Sequence, residues 1–218
     1  SGSCALAMQS AAGPGTTTIT VMLFGETYAP KAQVYFDELT GVGLAYVSAT
    51  SVSVAVGAVA SDDAAIANRV LMSLTGALTG TTAGTWVVGT NQPKLDTGVI
   101  GNNTYHVFVI QRVDTGVVDI LFSLSASAPT LPASYTKQRR IGSFIRAAGA
   151  ILSFTQDGDY FRLAASVLDL SATNPGVAAV TATLASVPTG VSVQALLNVG
   201  VAANTVGYLL IVSDLAAN

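Results

Sequence analysis

Charge is what this chain has least of. Lys, Arg, Asp and Glu together make up 10% of its 218 residues, against about 25% in a typical globular chain. The nine basic residues are outnumbered by twelve acidic ones and form no cluster. That excludes a nucleic-acid surface built on phosphate neutralisation. Cys4 is the single cysteine, so no intrachain disulfide can form, in keeping with synthesis in a reducing cytoplasm. His106 is the single histidine, and no set of soft or imidazole ligands is left to hold a transition metal. No cofactor is expected.

The shortage of charge also bears on partners. A surface this weakly charged is expected to be covered in part by other copies of the chain, which predicts a homo-oligomer. Residues 41–60 carry no charge and match the ~20-residue length of a membrane-spanning helix. But Ser48, Thr50, Ser51 and Ser53 interrupt the run, and Val52, Val54 and Val56 recur every second residue. That period is a strand's, so no membrane insertion is expected.

What the chain does have is Ala, Val, Leu, Ser, Thr and Gly in alternating runs broken by turn residues. Residues 1–15 are small and punctuated by Gly13-Pro14-Gly15, which predicts an irregular start. Strands are expected at 16–24, 33–36, 45–58, 70–79 and 85–88. Ser61-Asp62-Asp63 offers a cap for one helical turn over 64–68. Residues 80–84 read as a loop, and 89–103 as a long polar connection.

The clearest block is residues 105–163, which reads as three consecutive β-hairpins. Strands at 105–112 and 117–124 flank Val113-Asp114-Thr115-Gly116. A loop crosses at 125–134, where Pro129 and Pro132 cannot sit in a central strand. Strands at 139–146 and 150–155 flank Ala147-Ala148-Gly149. Gln156-Asp157-Gly158-Asp159 then turns the chain into 160–163. Further strands are expected at 166–170, 177–187, 191–199 and 207–213. About ten short strands predict an all-β fold, an antiparallel β-sandwich or jelly-roll-like domain. Residues 1–40 read as a separate N-terminal segment for docking or attachment. Residues 41–218 read as the β domain, with a second break near 164 that would divide it into two small subdomains.

No catalytic grouping stands out, and no enzymatic activity is expected. His106 alternates with Phe108 and Ile110, which is the pattern of a strand-face histidine. No Gly-x-Ser-x-Gly elbow precedes a helix. Asp157-Gly158-Asp159 has the composition of a Ca²⁺ turn but lacks the later acidic ligand of a calcium loop, and reads as turn chemistry. Glu26, Asp37, Glu38, Asp96, Asp119, Asp157 and Asp159 would need to converge in pairs to hydrolyse a polysaccharide, and nothing in their spacing predicts it. The candidates for ligand contact are aromatic and cationic. Trp86, Tyr105, Tyr135 and Tyr160 have faces on which a sugar ring can stack. Arg139 and Arg140 point to opposite faces of one strand. One is expected to pair with Asp119 or Asp157, the other to contact an acidic sugar or another subunit. For each of these, packing is the competing explanation.

Several ordered motifs carry a family resemblance. They are Trp86-Val87-Val88-Gly89-Thr90-Asn91-Gln92, Leu95-Asp96-Thr97-Gly98, Tyr105-His106-Val107-Phe108, and Val118-Asp119-Ile120-Leu121-Phe122-Ser123. Pro129-Thr130-Leu131-Pro132, Arg139-Arg140-Ile141-Gly142 and Phe154-Thr155-Gln156 follow in the same order. The chain in this respect resembles the fibre and tail-fibre proteins of tailed bacteriophages and prophages, over residues 41–218 and most closely over 86–163. The resemblance implies a virion-attached, nonenzymatic fibre or spike protein, often a homotrimer, that contacts other virion proteins and a host-surface polysaccharide or protein. Two alternatives follow from the same residues: an architectural connector with no host ligand, and a surface-polysaccharide depolymerase.

Overall fold

In the computed structural model the described residues are 2–8, 19–27, 38–158, 160–169, 171 and 184–196. The strands expected at 33–36 and 207–213 lie outside them, as do most of 177–187, Asp37 and Asp159. The fold is all-β, as the alternation predicts. Its one helical element among the described residues is a single 3-10 turn, Ile66–Asn68. That turn falls where a helical turn is expected, but Ala65 occupies the cap and donates no side-chain bond. Ser61 instead bonds Asp63.

The chain start is a hairpin rather than irregular: β1 (Gly2–Met8) pairs antiparallel with β2 (Ile19–Thr27). The long strand expected over 45–58 is three strands. These are β4 (Leu44–Ser48), β5 (Ser51–Val54) and β6 (Gly57–Ala60). β4 and β5 form a tight hairpin, whereas β6 leaves for a second, three-stranded sheet between β3 (Leu39–Gly41) and β7 (Leu71–Leu74). Gly41 and Gly57 stand opposite each other in that sheet. A Cβ on either would run into the other strand's backbone, so only glycine permits this approach.

The remaining strands build the main wall. Residues 80–84, expected as a loop, continue β8 (Leu78–Thr85), which stops before Trp86. The supposed connection 89–103 contains β9 (Gln92–Leu95). The three expected hairpins are all present. The first joins β10 (Thr104–Gln111) to β11 (Val118–Ser123), with Gly116 at φ 72° closing its turn. The second joins β12 (Lys137–Ala147) to β13 (Ala150–Ile151) through Ala148 and Gly149, both at positive φ. The third joins β14 (Phe154–Asp157) to β15 (Tyr160–Leu163). Residues 166–169 and 191–196, expected as strand, are outside any strand, and 184–187 form a turn.

Eight strands form one sheet in the order β13-β12-β10-β11-β9-β8-β5-β4. Its two ends meet where the Ile151 N–H donates to the Ala49 carbonyl at 2.8 Å, so the wall is nearly closed and barrel-like. Pairing is antiparallel except around β9, which runs parallel to both β8 and β11. The interior holds Val52, Val54, Leu95, Tyr105, Val107, Val109, Ile120, Phe122 and Phe144, with Val59, Met72 and Leu74 added by the three-stranded sheet. Each such side chain removed from water stabilises the fold by about 1.5–3 kcal/mol before entropy is counted.

β10 reads Tyr105-His106-Val107-Phe108-Val109-Ile110, apolar on both faces but for His106. A strand with that composition must be covered on both sides. The outer cover is a second cluster, where Leu131 and Tyr135 from the 125–136 loop and Trp86 pack on Phe108, Ile110 and Leu121.

Candidate functional site

The polar groups of interest lie under that outer cover, at opposite ends of β10 and β11. At one end the strand pattern turns Asp119 outward, opposite Ile110. There it meets Lys94 of β9, Nζ to Oδ1 at 2.7 Å, with the two side chains 0% and 2% exposed. Lys94 also donates to the Val87 carbonyl at 2.8 Å. The other carboxylate oxygen of Asp119 accepts the Gly89 N–H at 2.8 Å, and Oδ1 also accepts the Ile120 N–H at 2.6 Å.

The aromatic cover completes this end. Trp86 donates its indole N–H to the Ile120 carbonyl at 2.9 Å. Tyr135 meets Trp86 edge-on with ring centroids 5.0 Å apart. The Lys94 ammonium lies 5.3 Å from the Trp86 centroid, within cation–π range. Burial pushes Lys94 below the ordinary lysine range, while the hydrogen bond and charge of Asp119 oppose that shift. Burial and the Asp119 charge raise the Tyr135 phenol. Every donor and acceptor here ties strands and turns to one another: β9 to β11, and the 86–89 segment to both.

At the other end His106 stands between Ser123 of β11 and Ser143 of β12, its cross-strand partners. Its Nδ1 lies 2.8 Å from Ser143 Oγ. The other ring edge faces a returning segment, residues 184–190, and bonds the Thr189 backbone. His106 and Ser143 are 1% and 8% exposed. Burial first, and then the Arg140 charge, hold the imidazole below its ordinary range. The pair has the serine and base of a hydrolytic triad. A backbone group takes the place of the orienting carboxylate, and the serine is buried.

Of the residues expected to touch a ligand, the fold joins only Trp86 and Tyr135. Tyr105 faces the interior, stacked on Phe144 at 5.5 Å with its hydroxyl accepting the Gly101 N–H, and is 2% exposed. It offers no surface. Tyr160 is 79% exposed on the β14–β15 hairpin, away from the Trp86 pair. A bulge between Val107 and Phe108 places Arg140 opposite Phe108 and Arg139 opposite Val109. Arg140 is exposed and Arg139 half-buried. The expected pairing of an arginine with Asp119 is corrected: Lys94 takes that carboxylate. Lys94 carried no sequence signal, since a lysine after proline in a polar stretch reads as surface. Ser143 carried none either, because only the bulged register brings it opposite His106.

An open cleft of about 430 Å³ lies at the barrel end formed by the β7–β8 turn, Thr90 and Gly116. Ser73, Thr75, Thr90, Leu78 and Val118 are among the residues that line it, and none of the lining residues is charged. Among the described residues no group of three His, Cys, Asp or Glu is placed to hold a metal. No described helix is long and apolar enough to cross a membrane. Comparison with protein-family models, with curated proteins and with solved structures finds nothing that matches the chain.

Proposed function

We propose that this chain is a structural fibre or spike module of a phage-like particle, which in several copies presents a rigid β wall to a host-surface glycan or protein. The observation that carries the reading is where the chemistry sits. Lys94, Asp119 and His106 are at most 1% exposed and bond strands and loops to one another. The outside is weakly charged and carries large apolar side chains, among them Val99 at 90%, Tyr160 at 79% and Leu168 at 78% exposure.

A wall of that kind suits packing against copies of itself and many weak contacts made together. Linking such contacts raises avidity by orders of magnitude without any strong single site. The order of motifs over residues 86–163 adds the phage-fibre context. Trimerisation, assembly with other virion proteins and residence in the virion belong to this proposal.

Light scattering on the purified chain, followed by binding to host capsule and lipopolysaccharide, tests it. A stable oligomer that retains the polysaccharide is the expected result. A monomer at high concentration with no retention overturns it. New reducing ends released from the polysaccharide would replace it with the depolymerase reading.

A further inference from the structure

The strongest unassigned feature is the contact between His106 and the returning segment. Of residues 184–190, Thr189 and Gly190 lie against β10. The Thr189 N–H donates to Thr104 Oγ1 at 3.0 Å. Gly190 lies against the His106 ring and Ala126, so close that a Cβ there would sit 3.3 Å from Nε2. At the segment's start, the Ser186 N–H donates to Asp169 at 2.8 Å, and its hydroxyl bonds the same carboxylate. Among the described residues no strand ladder secures it. What it covers is the one imidazole in the chain.

We propose that residues 184–190 form an acid-released strap: neutral His106 keeps it docked on β10, and protonation of His106 favours the undocked state. The reason is electrostatic. With the strap in place, the ring has Ser143 and Ser123 on the flanking strands, Ala126 on the loop and Thr189–Gly190 above it, and none of these carries a compensating negative charge. Among the described residues Arg140 is the charged group whose field reaches the ring, and it repels an imidazolium; the Thr189 backbone bond opposes this but is outweighed by burial and Arg140. Lifting the strap returns water to the ring without breaking β10–β12 pairing. An imidazolium in that position gains hydration that the docked strap denies it.

The sign follows by linkage. Burial and Arg140 hold the docked-state imidazole below its ordinary value. Docking is therefore fully favoured above the undocked-state value, which lies at or below about pH 6.5 because Arg140 acts in both states. It weakens as pH falls from there toward the docked-state value. Across that window the undocked fraction rises about tenfold per pH unit.

Amide hydrogen exchange between pH 7.5 and pH 5, corrected for the intrinsic pH dependence of exchange, reads this directly. The Thr189 amide is expected to lose protection about tenfold per pH unit inside the window, while the Val107 amide in the barrel stays protected. In His106→Gln the Thr189 protection is expected to be flat. Equal protection of Thr189 across the range in the wild type overturns the proposal, as does the same loss in His106→Gln. Thr104→Val supplies a reciprocal test that keeps the histidine. Removing the acceptor of the Thr189 N–H lifts the strap, so the His106 titration seen by NMR is expected to move up toward the ordinary imidazole value. An unmoved titration also overturns the proposal.

Discussion

Replacing Lys94 by Met leaves the Asp119 carboxylate in the same dry site with no cation. The pair is 2.7 Å apart and the two side chains are 0% and 2% exposed. Removing one partner of such a pair costs about 3–5 kcal/mol, because the surviving charge stays unmatched. Asp119→Leu is expected to cost more than Lys94→Met. It strands the ammonium and also removes the acceptor for the Gly89 and Ile120 N–H groups, at about 1–3 kcal/mol for each donor left unsatisfied. Against a total stability of about 5–15 kcal/mol, either change takes a large share.

The double variant, Lys94→Met with Asp119→Leu, removes both charges at once. It is expected to be less destabilised than the two single costs predict together, with a coupling of several kcal/mol. Urea unfolding followed by far-ultraviolet circular dichroism measures all three. A Lys94→Met protein with the wild-type midpoint would refute the reasoning. So would a double variant whose loss equals the sum of the singles.

Two further outcomes come from the same coordinates. At Gly80 a Cβ would lie 2.6 Å from Lys94 Cγ and 2.7 Å from Phe122 Cζ, whereas at Gly76 it would meet nothing within 4 Å. Gly80→Ala is expected to lower stability by about 1–3 kcal/mol, and Gly76→Ala to leave the thermal midpoint nearly unchanged; equal midpoints would contradict the packing. Burial raises the Asp63 carboxyl, but hydrogen bonds from Lys137 and Ser61 outweigh it and hold the group below its ordinary range. Its contribution is therefore present above about pH 4 and is lost as pH falls through the folded value. Because the Asp63 and Lys137 side chains are 25% and 15% exposed, Asp63→Asn is expected to remove only about 1 kcal/mol, and to flatten the acid limb of a stability–pH curve by that amount.

Much of the fold was legible because its turns carry their own chemistry. Asp114 and Gly116, Ala148-Gly149 and Asp157-Gly158 each mark a hairpin that is present, with the glycines at positive φ. What was hidden depends on neighbours distant in sequence. Gly80-Thr81-Thr82-Ala83-Gly84 has loop composition, yet it is strand because Lys94 and Phe122 leave no room for a side chain at Gly80. β9 is only Gln92-Pro93-Lys94-Leu95, with no alternation to betray it, and its place is set by β8 and β11 on either side. In the run 45–58 the alternation lapses only at Ala49-Thr50-Ser51, where the chain turns without Gly or Pro, and nothing in its pattern announces the departure of β6 to another sheet.

The polar clusters were illegible for a related reason. A lysine and an aspartate 25 positions apart show no spacing rule, and a histidine and serine 37 apart meet only through a bulge. The aromatic candidates were chosen for their faces, but burial decides which faces remain. It encloses Tyr105, tucks Trp86 against Tyr135 and leaves Tyr160 outside.

The position of β9 also bears on how the wall is completed in folding. The three hairpins of residues 104–163 close over short loops and can form as soon as those residues are available. The wall around them cannot be completed that way. β9 lies between β8 and β11, which come from before and after it in the chain, and its Lys94 side chain ends in a dry site. Until β9 is in place, β8 and β11 each show an open edge, and the unfinished wall is the state most exposed to pairing with a neighbouring chain.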